Sequence, residues 1–263
     1  MPPPERFHPT PAPAAPDSLE QAREKLIVAL DVPDAQSATN LIDRLEDTCN
    51  WFKVGLELFI AEGPAIVETI VARGHSVFLD LKLHDIPNTV AGAVRSASHL
   101  GIRMLTLHAS GGPAMLAAAR TALDGIANPP ELLAVTVLTS IDAAELNTVG
   151  VNRSPADQVT HFANMGVQAG IRGFVCSPRE VASLRAITGP SGVLVVPGIR
   201  PGGSAIGDQK RVATPADALR NGASYLVVGR PITHAADPAL AVQAILEEMA
   251  ASHAVQGKAG SCD

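Results

Sequence analysis

Eight short apolar runs, each followed by a longer segment of helical period, constrain this chain more than any other feature. The runs Leu26–Leu30, Trp51–Leu56, Ser76–Leu81, Met104–Leu107, Leu132–Leu138, Gly173–Cys176, Val193–Val196 and Tyr225–Val228 are nearly continuous in Val, Leu and Ile. That is the pattern of strands buried on both faces of a parallel sheet. The stretches Ala35–Thr48, Ala61–Ala72, Asn88–Leu100, Pro113–Leu123, Ser154–Ala169, Pro178–Ile187, Pro215–Asn221 and Pro238–Ala250 read as helices. Several open on a cap residue and a proline (Ser154-Pro155, Thr214-Pro215, Asp237-Pro238), and Gly74, Gly101 and Gly222 follow helix ends. Eight β-then-α units in about 230 residues predict an α/β, single-domain (β/α)8 TIM barrel, a fold of about 250 residues. An open doubly wound sheet is the alternative. It calls for a Gly-rich phosphate turn after the first strand, where Asp31-Val32-Pro33-Asp34 stands instead.

Composition supplies the core that such a barrel needs. Of 263 residues, 46% are hydrophobic and 17% charged, which excludes global disorder. A formal charge of -6 provides no general basic field for nucleic acid or an anionic membrane. One Trp and one Tyr make no stacking platform for single strands. An anionic ligand must therefore meet local charges. The cysteines Cys49, Cys176 and Cys262 are widely separated and odd in number, which fits a reducing cytoplasm rather than a disulfide framework or metal cluster. Cys176, in an apolar run, reads as an inert core thiol.

Met1 to Asp17 holds seven prolines and lacks the apolar stretch of a signal peptide. The expected organisation is a disordered Pro-rich tail over 1–22, the barrel over 23–251 and a flexible tail over 252–263. No apolar run reaches the roughly 20 residues that cross a bilayer, so a soluble, cytoplasmic protein is expected.

A barrel fold directs attention to polar residues at the C-terminal ends of its strands, where such barrels do chemistry. Strand 1 ends in Asp31, and strand 2 carries Lys53 in an otherwise apolar stretch. Strand 3 ends Asp80-Leu81-Lys82, strand 4 runs into His108-Ala109-Ser110, and strand 5 into Thr139-Ser140. Alternation sends Asp80 and Lys82 to one face and Leu79 and Leu81 to the other. In the barrel lumen an isolated charge is strongly unfavourable, so Asp80, Lys82 and Lys53 must neighbour one another. Asp85, three residues past Lys82, can add a carboxylate. An ion-pair plug is the bland alternative, but charge clusters of this kind concentrate at active sites.

A second constellation at the barrel mouth suits a phosphate. Barrels often hold one with the loops after strands 7 and 8. Strand 8 runs into Gly229-Arg230-Pro231, where glycine permits close backbone approach and a guanidinium grips oxygens in a bidentate way. Strand 7 is followed by the long polar segment Arg200 to Gln209, which reads as a closing lid. His84 is expected to orient its turn and His108 is a strand-end histidine of structural or site-facing role. No clustered ligand spacing appears, so no metal is expected.

The run Phe78-Leu79-Asp80-Leu81-Lys82-Leu83-His84-Asp85-Ile86-Pro87-Asn88-Thr89 closely resembles the signature of the orotidine 5'-phosphate decarboxylase family. The likeness extends over about 25–250 and includes Phe52-Lys53-Val54-Gly55, Pro197-Gly198-Ile199-Arg200-Pro201, Gly207-Asp208-Gln209 and Val228-Gly229-Arg230-Pro231. The resemblance implies decarboxylation of orotidine 5'-phosphate to UMP in pyrimidine biosynthesis, without a cofactor. It implies that Asp31 and Lys53 contact the ribose, that Asp80 faces the substrate carboxylate and that Lys82 protonates C6. It further implies that Thr139 lines the pyrimidine pocket and that Arg200, Gln209, Gly229 and Arg230 serve the lid and phosphate. Asp85 and Thr89 are implied to reach the neighbouring site of a homodimer.

Two alternatives differ in class. One is a Mg-dependent phosphosugar decarboxylase such as 3-keto-L-gulonate 6-phosphate decarboxylase, which is expected to carry an acidic residue where Lys53 stands. The other is a non-catalytic phosphate-binding barrel, which has no need of the lysine–aspartate cluster.

Overall fold

The computed structural model describes residues 16–45, 48–201 and 213–259. Its strands are β1 (Leu26–Ala29), β2 (Trp51–Gly55), β3 (Ser76–Leu83), β4 (Met104–His108), β5 (Glu131–Val135), β6 (Gly173–Val175), β7 (Val193–Val196) and β8 (Tyr225–Val228). They pair in parallel, in sequence order, and close with Val28 against Val228, forming a (β/α)8 barrel. Around them lie α1 (Pro16–Arg23), α2 (Ala35–Leu45), α3 (Leu56–Glu62), α4 (Pro64–Ala72), α5 (Pro87–Ser98) and α6 (Gly112–Thr121). The remaining helices are α7 (Ala143–Thr148), α8 (Pro155–Gln168), α9 (Val181–Thr188), α10 (Pro215–Arg220), α11 (Arg230–Thr233) and α12 (Pro238–Ala259).

Several elements depart from the periodicity reading. Two helices follow β2 in place of one, because Gly63 takes φ +64 and Pro64 starts a new helix at a position where its missing N–H costs nothing. Helix α7 is an addition, opened by an Asp142–Glu145 capping box. Strand β5 ends at Val135, three residues early, although Thr136 and Val137 stay buried. Helix α1 starts at Pro16, inside the expected span 1–22, with Ala22 buried and Leu19 packed on the core; the residues before Pro16 lie outside the described ones. The chain likewise stays helical past 251, where α12 continues to Ala259 and Ser252 is buried. Helices α1 and α12 pack against each other, so each supplies the other with a covered face.

The core forms two shells. The larger lies between strands and helices and holds Val28, Phe52, Val54, Val77, Leu79 and Leu105. The smaller fills the lumen with Ile27, Ala29, Trp51, Phe78, Met104, Leu133, Val195 and Val227. Strand side chains alternate between the shells. Two residues beyond the lumen members Ala29, Trp51, Phe78, Met104 and Val227 come Asp31, Lys53, Asp80, Thr106 and Gly229. The same parity that packs an apolar plug below therefore delivers polar groups at the C-terminal mouth.

Candidate active site

Four charged side chains meet at that mouth. The Lys82 ammonium donates to both Asp80 oxygens at 2.9 Å. Lys53 Nζ lies 3.6 Å from Asp80 Oδ2 and donates to Asp31 Oδ1 at 2.9 Å. The order Asp31–Lys53–Asp80–Lys82 thus alternates in sign across three adjacent strands. Burial pushes the Asp80 carboxyl up, but the Lys53 and Lys82 charges, with hydrogen bonds from Lys82 and Thr106, outweigh it and hold Asp80 below the usual range. The carboxylate is ionised at neutral pH, and Leu79 and Leu81 pack away into the outer shell.

Two local features shape this cluster. At Gly55, a Cβ would fall 2.8 Å from Lys53 Nζ and 3.3 Å from Asp31 Oδ1, so the absent side chain leaves room for the ion pair. At the end of β3 the pairing slips: β3 advances from Leu79 to Leu83 while β4 advances only from Leu105 to Leu107. Lys82 sits in this bulge at φ +51, a left-handed backbone uncommon for lysine.

A cleft of about 590 Å3 runs from Asp31, Lys53, Asp80 and Lys82 to Arg200, Gly229, Arg230 and His234. One end is a charge-alternating cluster and the other carries two guanidinium groups. A second, smaller cavity of about 170 Å3 adjoins the same three residues Lys53, Asp80 and Lys82. Its walls are Phe78, Val135, Val137, Val175 and Pro197, with Thr139 also lining it. A flat, mainly apolar ring in this cavity would bring an edge to the ammonium of Lys82 while its substituents extend toward the arginines.

The sequence candidates divide accordingly. Asp31, Lys53, Asp80, Lys82, Thr139, Arg200, Gly229 and Arg230 line one or both cavities. Asp85 and Thr89 are exposed outside them; Asp85 accepts from the Ile86 amide at 2.6 Å and borders a shallow surface with His84, Pro87 and Ser110. Gln209 and most of the expected lid lie outside the described residues. His108 packs ring to ring with His84 at 5.4 Å, and burial, aided by the His84 and Lys82 charges, holds it below its ordinary value. Cys176 is buried as expected, but it also lines the smaller cavity. Among the described residues, no three of His, Cys, Asp and Glu converge as a metal site.

Three contributors escape the sequence reading. Thr106 is fully buried and contacts both Lys82 and Asp80. Its signal was present, as a hydroxyl in an otherwise apolar strand two residues before His108. Gly55 belonged to a recognised motif without a stated reason. His234 lines the cleft from the end of α11, a helix that periodicity over so few residues does not reveal.

Comparison with known proteins converges on one family. The profile of the "Orotidine 5'-phosphate decarboxylase / HUMPS family" matches residues 24–245. The orotidine 5'-phosphate decarboxylase of Moorella thermoacetica is 53% identical over 234 residues, covering 87% of this chain and 93% of its own. That of Anaeromyxobacter dehalogenans is 52% identical over 222 residues, covering 84% and 96%. In three dimensions, the crystal structure of orotidine 5'-phosphate decarboxylase from Lactobacillus acidophilus superposes with a TM-score of 0.76 at 38% identity, covering 86% of this chain and 98% of that one.

Proposed function

This chain belongs to the orotidine 5'-phosphate decarboxylase / HUMPS family, and we propose that it converts orotidine 5'-phosphate to UMP and CO2 with Lys82 as the proton donor. The observation that carries the reading is the Lys82 ammonium, 2.9 Å from both oxygens of Asp80 and facing a ring-sized cavity that opens toward two arginines.

The chemistry follows from the positions of the charges. Arg200, Arg230 and the Gly229 backbone take the phosphate, with Gln209 assigned to the same task from its motif. Asp31 and Lys53 take ribose hydroxyls. The pyrimidine occupies the smaller cavity beside Thr139, with its C6 carboxylate toward Asp80 and Lys82. Cleavage of the C6–carboxylate bond releases CO2 and leaves the electron pair on C6, in the ring plane, where it delocalises poorly. The Lys82 ammonium stabilises that pair and then donates its proton to C6, regaining one from solvent. Asp80 and Lys53 keep the ensemble ionised in a site that closure would dry, because each charge has an opposite neighbour. The phosphate, remote from the bond that breaks, contributes binding energy that holds the charged groups in register.

Asp85 and Thr89 are assigned to the neighbouring site of a homodimer. Their exposure outside the chain's own cleft supports that assignment. The reading requires no metal: Lys53, paired with Asp31 and near Asp80, places a fixed cation where a metal-using relative is expected to carry an acidic ligand. No described helix is long and apolar enough to cross a membrane, in keeping with a cytoplasmic biosynthetic enzyme.

The test is loss of orotidine 5'-phosphate absorbance catalysed by the purified chain in EDTA. Turnover in chelator is expected, together with abolition in a folded Lys82→Ala variant. Activity that vanishes with EDTA would favour the Mg-dependent alternative, and wild-type turnover by Lys82→Ala would overturn the proton-donor assignment.

A further inference from the structure

A lysine at φ +51 in a two-residue slip needs something to hold it there. Left-handed backbone is unfavourable for any residue with a Cβ, and the slip removes the regular β4 partner that a β3 amide would otherwise find. The Lys82 amide donates instead to a side chain, the Thr106 hydroxyl, at 2.8 Å. Thr106 lies midway between Leu105 and Leu107, the two β4 residues that bracket the slip. The same hydroxyl lies 3.0 Å from Asp80 Oδ1. An amide only donates and a carboxylate only accepts, so the hydroxyl must accept from Lys82 and give its proton to Asp80.

We infer that Thr106 is a positioning residue for the decarboxylation, one hydroxyl fixing both the main chain of Lys82 and the carboxylate of Asp80. The inference rests on the functional reading above and adds a residue to it. Asp80 Oδ1 is held by Thr106 and Lys82, while Oδ2 meets Lys82 and faces Lys53. With Thr106 removed, the carboxylate is free to turn about its last bond. The Lys82 backbone is also free to relax toward negative φ, carrying the ammonium away from C6. Threonine suits the task because β-branching stiffens its side chain. Packing alone does not demand it. Thr106 is completely buried, directly above the lumen residues Met104 and Phe78, where valine would occupy the same volume and lack only the hydroxyl.

That contrast supplies the experiment, in which Thr106→Val and Thr106→Ser of the full chain are compared with wild type for kcat and KM on orotidine 5'-phosphate and for melting temperature. The expected result for Thr106→Val is a drop of about 10- to 100-fold in kcat with KM changed by less than about threefold, because the displaced groups sit at the reacting carbon and the phosphate and ribose contacts do not. Thr106→Ser, which keeps the hydroxyl, should recover to within about fivefold of wild type. A residue that merely fills the lumen would show the reverse order, with valine harmless and serine costly in melting temperature. A folded Thr106→Val with kcat within about twofold of wild type would overturn the inference, as would a serine variant as slow as valine. Should Thr106→Val not fold, Thr106→Ala against Thr106→Ser carries the same contrast. Amide exchange at Lys82 reads the geometry without turnover: fast exchange in the valine variant and protection in the serine variant are expected, and equal protection in both overturns it. A wild-type chain that leaves the substrate intact sinks the functional reading instead, a result distinct from an active wild type with an unimpaired valine variant.

Discussion

Replacing Gly55 by alanine should separate activity from stability. The Gly55 backbone, at φ -94 and ψ -175, is extended and suits alanine without strain. The new methyl would nevertheless lie 2.8 Å from Lys53 Nζ, inside contact distance. The ammonium is the far end of a flexible chain, so it moves by about 1 Å to reach a normal separation near 3.6 Å, while the backbone stays put. Retreat from Asp80 by that amount, from 3.6 Å to about 4.6 Å at an effective dielectric near 20, removes about 1 kcal/mol of attraction. Weakening the hydrogen bond to the largely exposed Asp31 removes up to about 1 kcal/mol more. Alanine's smaller unfolded-chain entropy offsets about 0.4–1 kcal/mol of that loss, leaving a change in unfolding free energy below about 1.5 kcal/mol, while an ammonium displaced by about 1 Å within the charge cluster should lower kcat/KM by about 5- to 30-fold. Steady-state kinetics on orotidine 5'-phosphate and a thermal melt of the same preparation measure both. A kcat/KM within twofold of wild type would show that the Lys53 position is not critical. A melting temperature lowered by many degrees would show that the backbone, not the ammonium, had yielded. Either result refutes the reasoning.

Two further outcomes test other parts of the molecule. Arg185, near the end of α9, donates to the carbonyls of Gly189, Gly192 and Gly222 and to the Ser224 hydroxyl, tying together the entrances of β7 and β8 at the end of the barrel away from the charge cluster. Arg185→Ala should cost about 1–3 kcal/mol, lowering the melting temperature by about 3–10 °C, with kcat unchanged at a temperature where it stays folded. An unchanged melt would refute the role. For the proposed shared site, Lys82→Ala and Asp85→Asn variants, each impaired alone, should complement when unfolded and refolded together. Statistical mixing makes half the dimers hybrid, each with one intact site, giving about a quarter of wild-type activity. Failure to exceed the sum of the separate variants would place Asp85 outside the neighbouring site.

Strand parity explains how much of this was legible in advance. Apolar runs located all eight strands, and alternation put Asp80 and Lys82 on the lumen face with Lys53 beside them. Those inferences need only the period of two and the exclusion of lone charges from a dry interior. The capping box at Asp142 was equally visible in the chain, yet short helices such as α7 and α11 offer too few turns for a period to register. The positive φ of Lys82 had no local sign at all. Lysine does not announce a left-handed backbone as glycine does, and the conformation depends on Thr106, 24 residues away. Gly55 has the same character, since its reason is a side chain two residues before it and a carboxylate on the neighbouring strand.

Asp85 shows why closeness in sequence and closeness in a site differ. It lies three residues past Lys82, and along a continuing strand that distance would keep it at the barrel mouth. Instead β3 ends at Leu83, Ile86 takes an extended backbone, and Pro87 starts α5 at once. Proline also bars the residue before it from continuing a helix backward, so the connection swings outward rather than over the cleft. The carboxylate emerges on a surface shared with His84, Pro87 and Ser110, next to the exposed Ile86. Among the described residues of its own cleft Lys82 therefore pairs with one carboxylate, Asp80, where the proposed chemistry asks for a second to keep the lysine charged. An exposed carboxylate beside an exposed apolar side chain is what a second copy of the chain would need in order to supply it. In the proposed homodimer, the turn that removes Asp85 from one site would make it available to the other.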